Sequence, residues 1–88
     1  MDLIKLLENT EVGMFLVICI GEHIRCISLY MGKDSEGRYN FIDESGIFAY
    51  SKEYLLKHEH IKIDTELKGD DEIITLSKLL DKVKEVKP

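Results

Sequence analysis

Nine consecutive residues, Val12 to Ile20, carry no charge, and this run constrains the chain more than any other feature. A membrane-spanning helix needs about 20 apolar residues, and Glu22, His23 and Arg25 end the run well short of that. Its content of β-branched side chains and Phe15 points to a strand buried on both faces. Gly21-Glu22 has the form of a two-residue hairpin turn with glycine in first place, after which His23 to Met31 returns as a second strand.

Such a turn sets a register. Ile20 faces His23, Ile18 faces Arg25, Leu16 faces Ile27 and Met14 faces Leu29. One face of the hairpin then carries Met14, Leu16, Ile18, Ile20, Ile27, Leu29 and Met31. The other carries Phe15, Val17, Cys19, Ile24, Cys26, Ser28 and Tyr30. Both faces are largely apolar, so both need covering. Cys19 and Cys26 share a face in this register. No basic, signal-like segment precedes them in Met1-Asp2-Leu3-Ile4-Lys5, so the expected setting is reduced and cytoplasmic, with both thiols buried and free.

The remaining elements follow from local chemistry. Asp2 can cap a short helix over residues 2–10, with Leu3, Leu6, Leu7 and Thr10 at helical spacing. Gly32 to Gly37 is a polar loop. Arg38 to Asp43 alternates Tyr39 and Phe41 with Arg38 and Asn40, as a half-buried strand does. Glu44-Ser45-Gly46 turns the chain into a fourth strand, Ile47 to Tyr50. Ser51 caps about two turns of helix through Lys57, and His60 to Asp64 makes a short fifth strand. Asp70 or Asp71 opens a last helix running to about Val86, whose Ile73, Leu76, Leu79, Leu80, Val83 and Val86 fall within an arc of roughly 140°. Ile74 lies opposite that stripe.

The expected fold is therefore α+β: a small bent antiparallel sheet of about five strands, with an SH3-like barrel as its closed form. A short N-terminal helix and a longer amphipathic C-terminal helix flank it. At 88 residues the chain forms a single domain, 1–88. Chains of this size bury about 60–65% of their unfolded surface, which makes a partner chain a natural source of added stability. A net charge of −5 with 33% charged residues excludes a membrane protein and disfavours bulk nucleic-acid binding, which needs a basic face. Ten lysines against two arginines, eleven isoleucines and a single alanine suggest an AT-rich genome, such as that of a low-GC bacterium, an archaeon or one of their viruses.

No catalytic set emerges. His58-Glu59-His60 is the most ligand-like cluster, because residues two apart on a strand point the same way. A zinc site needs three or four ligands, and no third is suitably spaced; His58 as a helix end and His60 in solvent account for the pair without a metal. Cys26 and His23 sit at an odd offset, which sends their side chains to opposite faces. The carboxylates Asp34, Glu36, Asp43, Glu44, Asp64, Asp70 and Asp71 fall mainly in turns and caps. Neither Gly-x-Gly-x-x-Gly nor Gly-Lys-Ser/Thr is present, so no phosphate loop is expected. Hence no catalytic residue, metal or cofactor is assigned.

The aromatics are more informative. Five of the seven, Tyr39, Phe41, Phe48, Tyr50 and Tyr54, lie within sixteen residues. Tyrosine suits a half-buried place with its hydroxyl in water, although core filling by Tyr39, Phe41 and Phe48 explains part of the cluster. Arg38, Tyr39, Tyr50 and Tyr54 are the candidate binding residues. The expected function is that of a small acidic, non-enzymatic module that binds another protein, as a regulator, inhibitor or immunity-type protein of viral or mobile-element origin. The alternative is a homodimer or larger homo-oligomer that binds a small ligand at an interface pocket lined by these tyrosines, with the doubly apolar hairpin as its seam.

Overall fold

The computed structural model describes residues 2–86 of the chain. Asp2 caps the first helix, α1 (Leu3–Glu8), its Oδ1 accepting from the Ile4 amide at 3.1 Å. Four strands follow as a meander: β1 (Phe15–Ile20), β2 (Ile24–Lys33), β3 (Tyr39–Asp43) and β4 (Gly46–Tyr50). Ser51 caps α2 (Lys52–Lys57) through its Oγ and the Tyr54 amide at 3.0 Å. Then come β5 (Ile61–Asp64) and the long helix α3 (Gly69–Val86). No helix is long and apolar enough to cross a membrane, among the described residues.

The strands form one antiparallel sheet in the order β4-β3-β2-β1-β5. The expected α+β architecture is thus present, and β4 and β5 are the two edges. No ladder joins those edges among the described residues. The sheet is nonetheless strongly bent. Phe48 and Tyr50 of β4 share a cleft of about 140 Å³ with Ile18 and Ile20 of β1, although β3 and β2 lie between them in the strand order. The long strand β2 carries an irregularity between Tyr30 and Gly32, and bulges of this kind increase local bend and twist.

The hairpin register differs from the expected one by a residue. Ile20 pairs with Ile24, Ile18 with Cys26, Val17 with Ile27 and Phe15 with Leu29, so the turn has three residues, Gly21, Glu22 and His23. A one-residue slip exchanges the faces of the whole second strand. Ile24, Cys26, Ser28 and Tyr30 therefore join Leu16, Ile18 and Ile20 on the concave face, while Arg25, Ile27 and Leu29 join Phe15, Val17 and Cys19 on the other. Cys19 and Cys26 consequently point to opposite faces and are both free.

Each face is covered, as its apolar content required. Against the concave face pack Ile4 and Leu7 of α1 and Leu55 of α2, in one cluster with Leu16, Ile18, Tyr30, Tyr39, Phe41 and Ile61. Helix α3 lies over the opposite face against β2, where Leu79 and Val17 are fully buried and Ile27 and Leu29 nearly so. Each such side chain contributes about 1.5–3 kcal/mol of transfer free energy. Contact with the sheet is narrower than the sequence stripe: Leu76 and Val83 are half-buried, but Ile73 and Leu80 stay exposed, as does Ile74. The side chain of Val86 lies outside the described set. β1 and β2 both lie inside the sheet order, between β3 and β5, and α3 packs on β2.

Candidate functional site

A chain of aromatic contacts runs from the core to the surface. It begins with Tyr30 against Phe41 at 5.6 Å between centroids and Phe41 stacked on Phe48 at 5.4 Å. Phe48 meets Tyr50 edge-on at 5.6 Å, and Tyr50 stacks on Tyr54 at 5.3 Å. Tyr54 then stacks on His58 at 3.9 Å, and His58 meets His60 edge-on at 5.5 Å. Helical spacing builds the outer half, because Tyr54 and His58 are four apart along α2 and its cap and so fall on one side of the helix. The inner rings are anchored in the sheet. The outer ones reach solvent: Tyr54 is 42% exposed, His58 is half-buried and His60 is exposed.

His58 is the C-cap of α2, and its Nδ1 lies 2.8 Å from the Tyr54 carbonyl oxygen. A carbonyl can only accept, so Nδ1 carries the proton, and in the neutral ring Nε2 is then the acceptor. The imidazole is thereby fixed in ring orientation and tautomer. Tyr50, the next ring inward from Tyr54, has its phenol pKa pushed up by burial, with a further rise from neighbouring Tyr54. It therefore presents a neutral hydroxyl at ordinary pH. The strip offers flat aromatic surface, a phenol and an imidazole acceptor, with no formal charge required of any of them.

Two of the four candidate residues from the sequence, Tyr50 and Tyr54, belong to this strip. Tyr39 does not. It is 0% exposed, and its hydroxyl donates to Glu8 Oε1 at 2.7 Å. Burial, followed by that bond, pushes its pKa up to about 12. Tyr39 is a core residue that ties β3 to α1, where Lys33 Nζ meets the same Glu8 oxygen at 2.8 Å. Arg38 lies apart as well, holding Asp34 at 2.9 Å and Glu36 at 2.8 Å in the loop before β3. These four residues therefore do not line one pocket, because Tyr39 faces inward and Arg38 is engaged in its own loop.

The two histidines adjoin, but through the turn before β5, which starts at Ile61 and not at His60. No group of three His, Cys, Asp or Glu side chains converges among the described residues, and a pair of imidazoles falls short of a zinc set. Several carboxylates serve the backbone as their positions suggested. Asp34, Asp43 and Asp64 each accept from the amide two residues on, at 2.9, 2.7 and 3.0 Å. The Asp34 carboxyl is held down at about 2, first by the Arg38 amide and also by Asn40, the Glu36 amide and the Arg38 guanidinium.

Sequence patterning passed over one residue of consequence, Arg25. From the middle of the sheet its guanidinium reaches Glu72 of α3 by two bonds, Nε to Oε2 at 2.7 Å and Nη2 to Oε1 at 2.9 Å. It also reaches Asp64 of β5 at 3.0 Å and the Glu66 carbonyl at 3.1 Å. Planar bidentate pairing is the strength of arginine over lysine, and here one side chain joins β2, β5 and α3. The available signal was an arginine set in an otherwise apolar strand. Beside this clamp a cleft of about 340 Å³ is lined by Asp43, Glu44, Asp71 and Glu72 together with Arg25. Compared with family models, curated proteins and solved structures, the chain has no significant match in any of the three.

Proposed function

We propose that this protein is a small acidic, non-enzymatic module that binds another protein through the strip Tyr50-Tyr54-His58-His60. The observation that carries the reading is the continuous stack in which Tyr54 and His58, 3.9 Å apart, leave the core and end in solvent. Rigid, half-exposed aromatic side chains give large contact area at small entropic cost, and they are enriched at the centres of protein interfaces. The Nε2 acceptor of His58 supplies directional recognition beside that apolar surface. Regulation or inhibition by covering a partner's surface needs nothing further from the fold. The free thiols Cys19 and Cys26 suit a reduced, cytoplasmic setting.

The reading is tested by affinity capture from the native host with the wild-type chain beside Tyr54→Ala/His60→Ala. The wild type retains a saturable protein partner and the double variant loses it, with an unchanged circular dichroism spectrum. Equal capture by both chains overturns the assignment of this strip.

A further inference from the structure

Edge strands of a sheet expose unpaired backbone groups, and natural proteins protect them with charges, proline or a covering element. The edge strand β4, Gly46-Ile47-Phe48-Ala49-Tyr50, has neither a charge nor a proline. Ile47 is 72% exposed, the highest value among the large hydrophobic residues of the described chain. The other edge differs: β5 carries exposed Lys62, and its Asp64 is engaged by Arg25. Strand β4 is therefore the edge at which protection is missing.

We infer that β4 pairs antiparallel with β4 of a second copy of this chain, joining two sheets into one continuous sheet about a two-fold axis at Phe48. An isologous contact of this type uses the same surface twice, so the strand must complement itself. It does so in side chains and in charge. With Phe48 opposite the partner's Phe48, Ile47 lies opposite the partner's Ala49 and covers its exposed side chain. Gly46 lies opposite the partner's Tyr50, where the glycine leaves room for the ring. Just beyond the ladder, Glu44 comes beside the partner's Lys52, and the reverse pair forms at the other end. The same register sets Asp43 opposite the partner's Glu53, and the Asp43 carboxylate is turned back from that end onto the Ser45 and Gly46 amides at 2.7 and 3.1 Å. The Phe41–Phe48 stack, 5.4 Å between centroids, continues across the axis into the partner's matching pair. Aromatic cross-strand neighbours favour such a register.

Tyr50 belongs both to β4 and to the proposed protein-binding strip, but the two readings are tested apart, since Tyr54 and His60 lie outside β4 and Glu44 and Ile47 lie outside the strip. The test is sedimentation equilibrium of the full chain from about 1 µM to about 1 mM, the range of weak self-association. The wild type is expected to reach twice its 10.2 kDa mass. Ile47→Lys, at a solvent-exposed position that leaves the monomer folded, weakens the dimer about tenfold or more. Glu44→Lys weakens it, and Glu44→Lys/Lys52→Glu restores it. A chain that stays monomeric throughout overturns the inference. So does a dimer indifferent to Ile47→Lys, or a species larger than a dimer, which would require a head-to-tail contact.

Discussion

The guanidinium of Arg25 grips the carboxylate of Glu72 with two parallel bonds of 2.7 and 2.9 Å, across 47 residues of sequence. Helix α3 is held at its first turn by this contact and over the rest of its packed length by apolar contact with the sheet. The Glu72 pKa falls from 4.5 to about 2, mainly through Arg25 and then through the Lys68 amide. Asp64 is lowered too, first by the Glu66 amide and then by Arg25.

A carboxylate whose folded pKa is depressed stabilises the protein above its unfolded pKa and loses that contribution as pH falls through the folded value. For Glu72 the window runs from 4.5 down to about 2. Urea midpoints measured across it should fall steeply for the wild type and less steeply for Glu72→Gln, with the two curves converging at the acid end. Parallel curves would show that Glu72 titrates alike folded and unfolded.

Tyr39 gives the opposite sign. Its pKa rises from 10.0 to about 12 in the folded chain, so its contribution is intact below pH 10 and is lost as pH rises through about 12. Thermal midpoints of the wild type should decline over that alkaline window, and Tyr39→Phe should remove this component while lowering stability at neutral pH. The neutral-pH loss follows from the missing bond to Glu8.

Leu79 is 0% exposed and is the only fully buried side chain that α3 contributes among the described residues. Leu79→Ala should cost about 2–5 kcal/mol, the range for truncating a core leucine. Ile73→Ala and Ile74→Ala, at exposed positions of the same helix, should stay within about 0.5 kcal/mol. Denaturant titration of the three variants checks the ordering, and equal effects would contradict the placement of α3.

Gly32 has φ of +94°, and a Cβ there would meet Val12 Cγ2 at 3.1 Å. Gly32→Ala therefore combines backbone strain with crowding at the irregular point of β2. A loss of about 1–3 kcal/mol is expected, read from the unfolding midpoint. Gly37→Ala, which also has positive φ but open space around it, should cost less.

Local chemistry made most of the elements legible. Asp2 and Ser51 are each followed by a helix whose amides they cap, and Glu44-Ser45 links β3 to β4 as its composition suggested. Tyr50 and Tyr54 were visible as part of an aromatic cluster, and the spacing of four puts His58 on the same side of a helix as Tyr54, but that spacing alone does not make the rings stack. That contact needs α2 to end at His58 with its ring turned back on Tyr54. Tyr39 was legible both as a core candidate on the apolar side of its strand and as a candidate binding residue, and its burial decides for the core; alternation names a face without saying which helix lies upon it.

The sequence by itself determined that both faces of the β1–β2 hairpin must be covered, since apolar residues alternate onto each. For the same reason it could not determine the register: two apolar faces tolerate either a two- or a three-residue turn. Tertiary structure decided, because only the slipped register sends Arg25 to the side where Asp64 and Glu72 lie and leaves Tyr30 against Phe41. A charged side chain far from its partners in sequence selects between arrangements that local hydrophobicity leaves nearly equal.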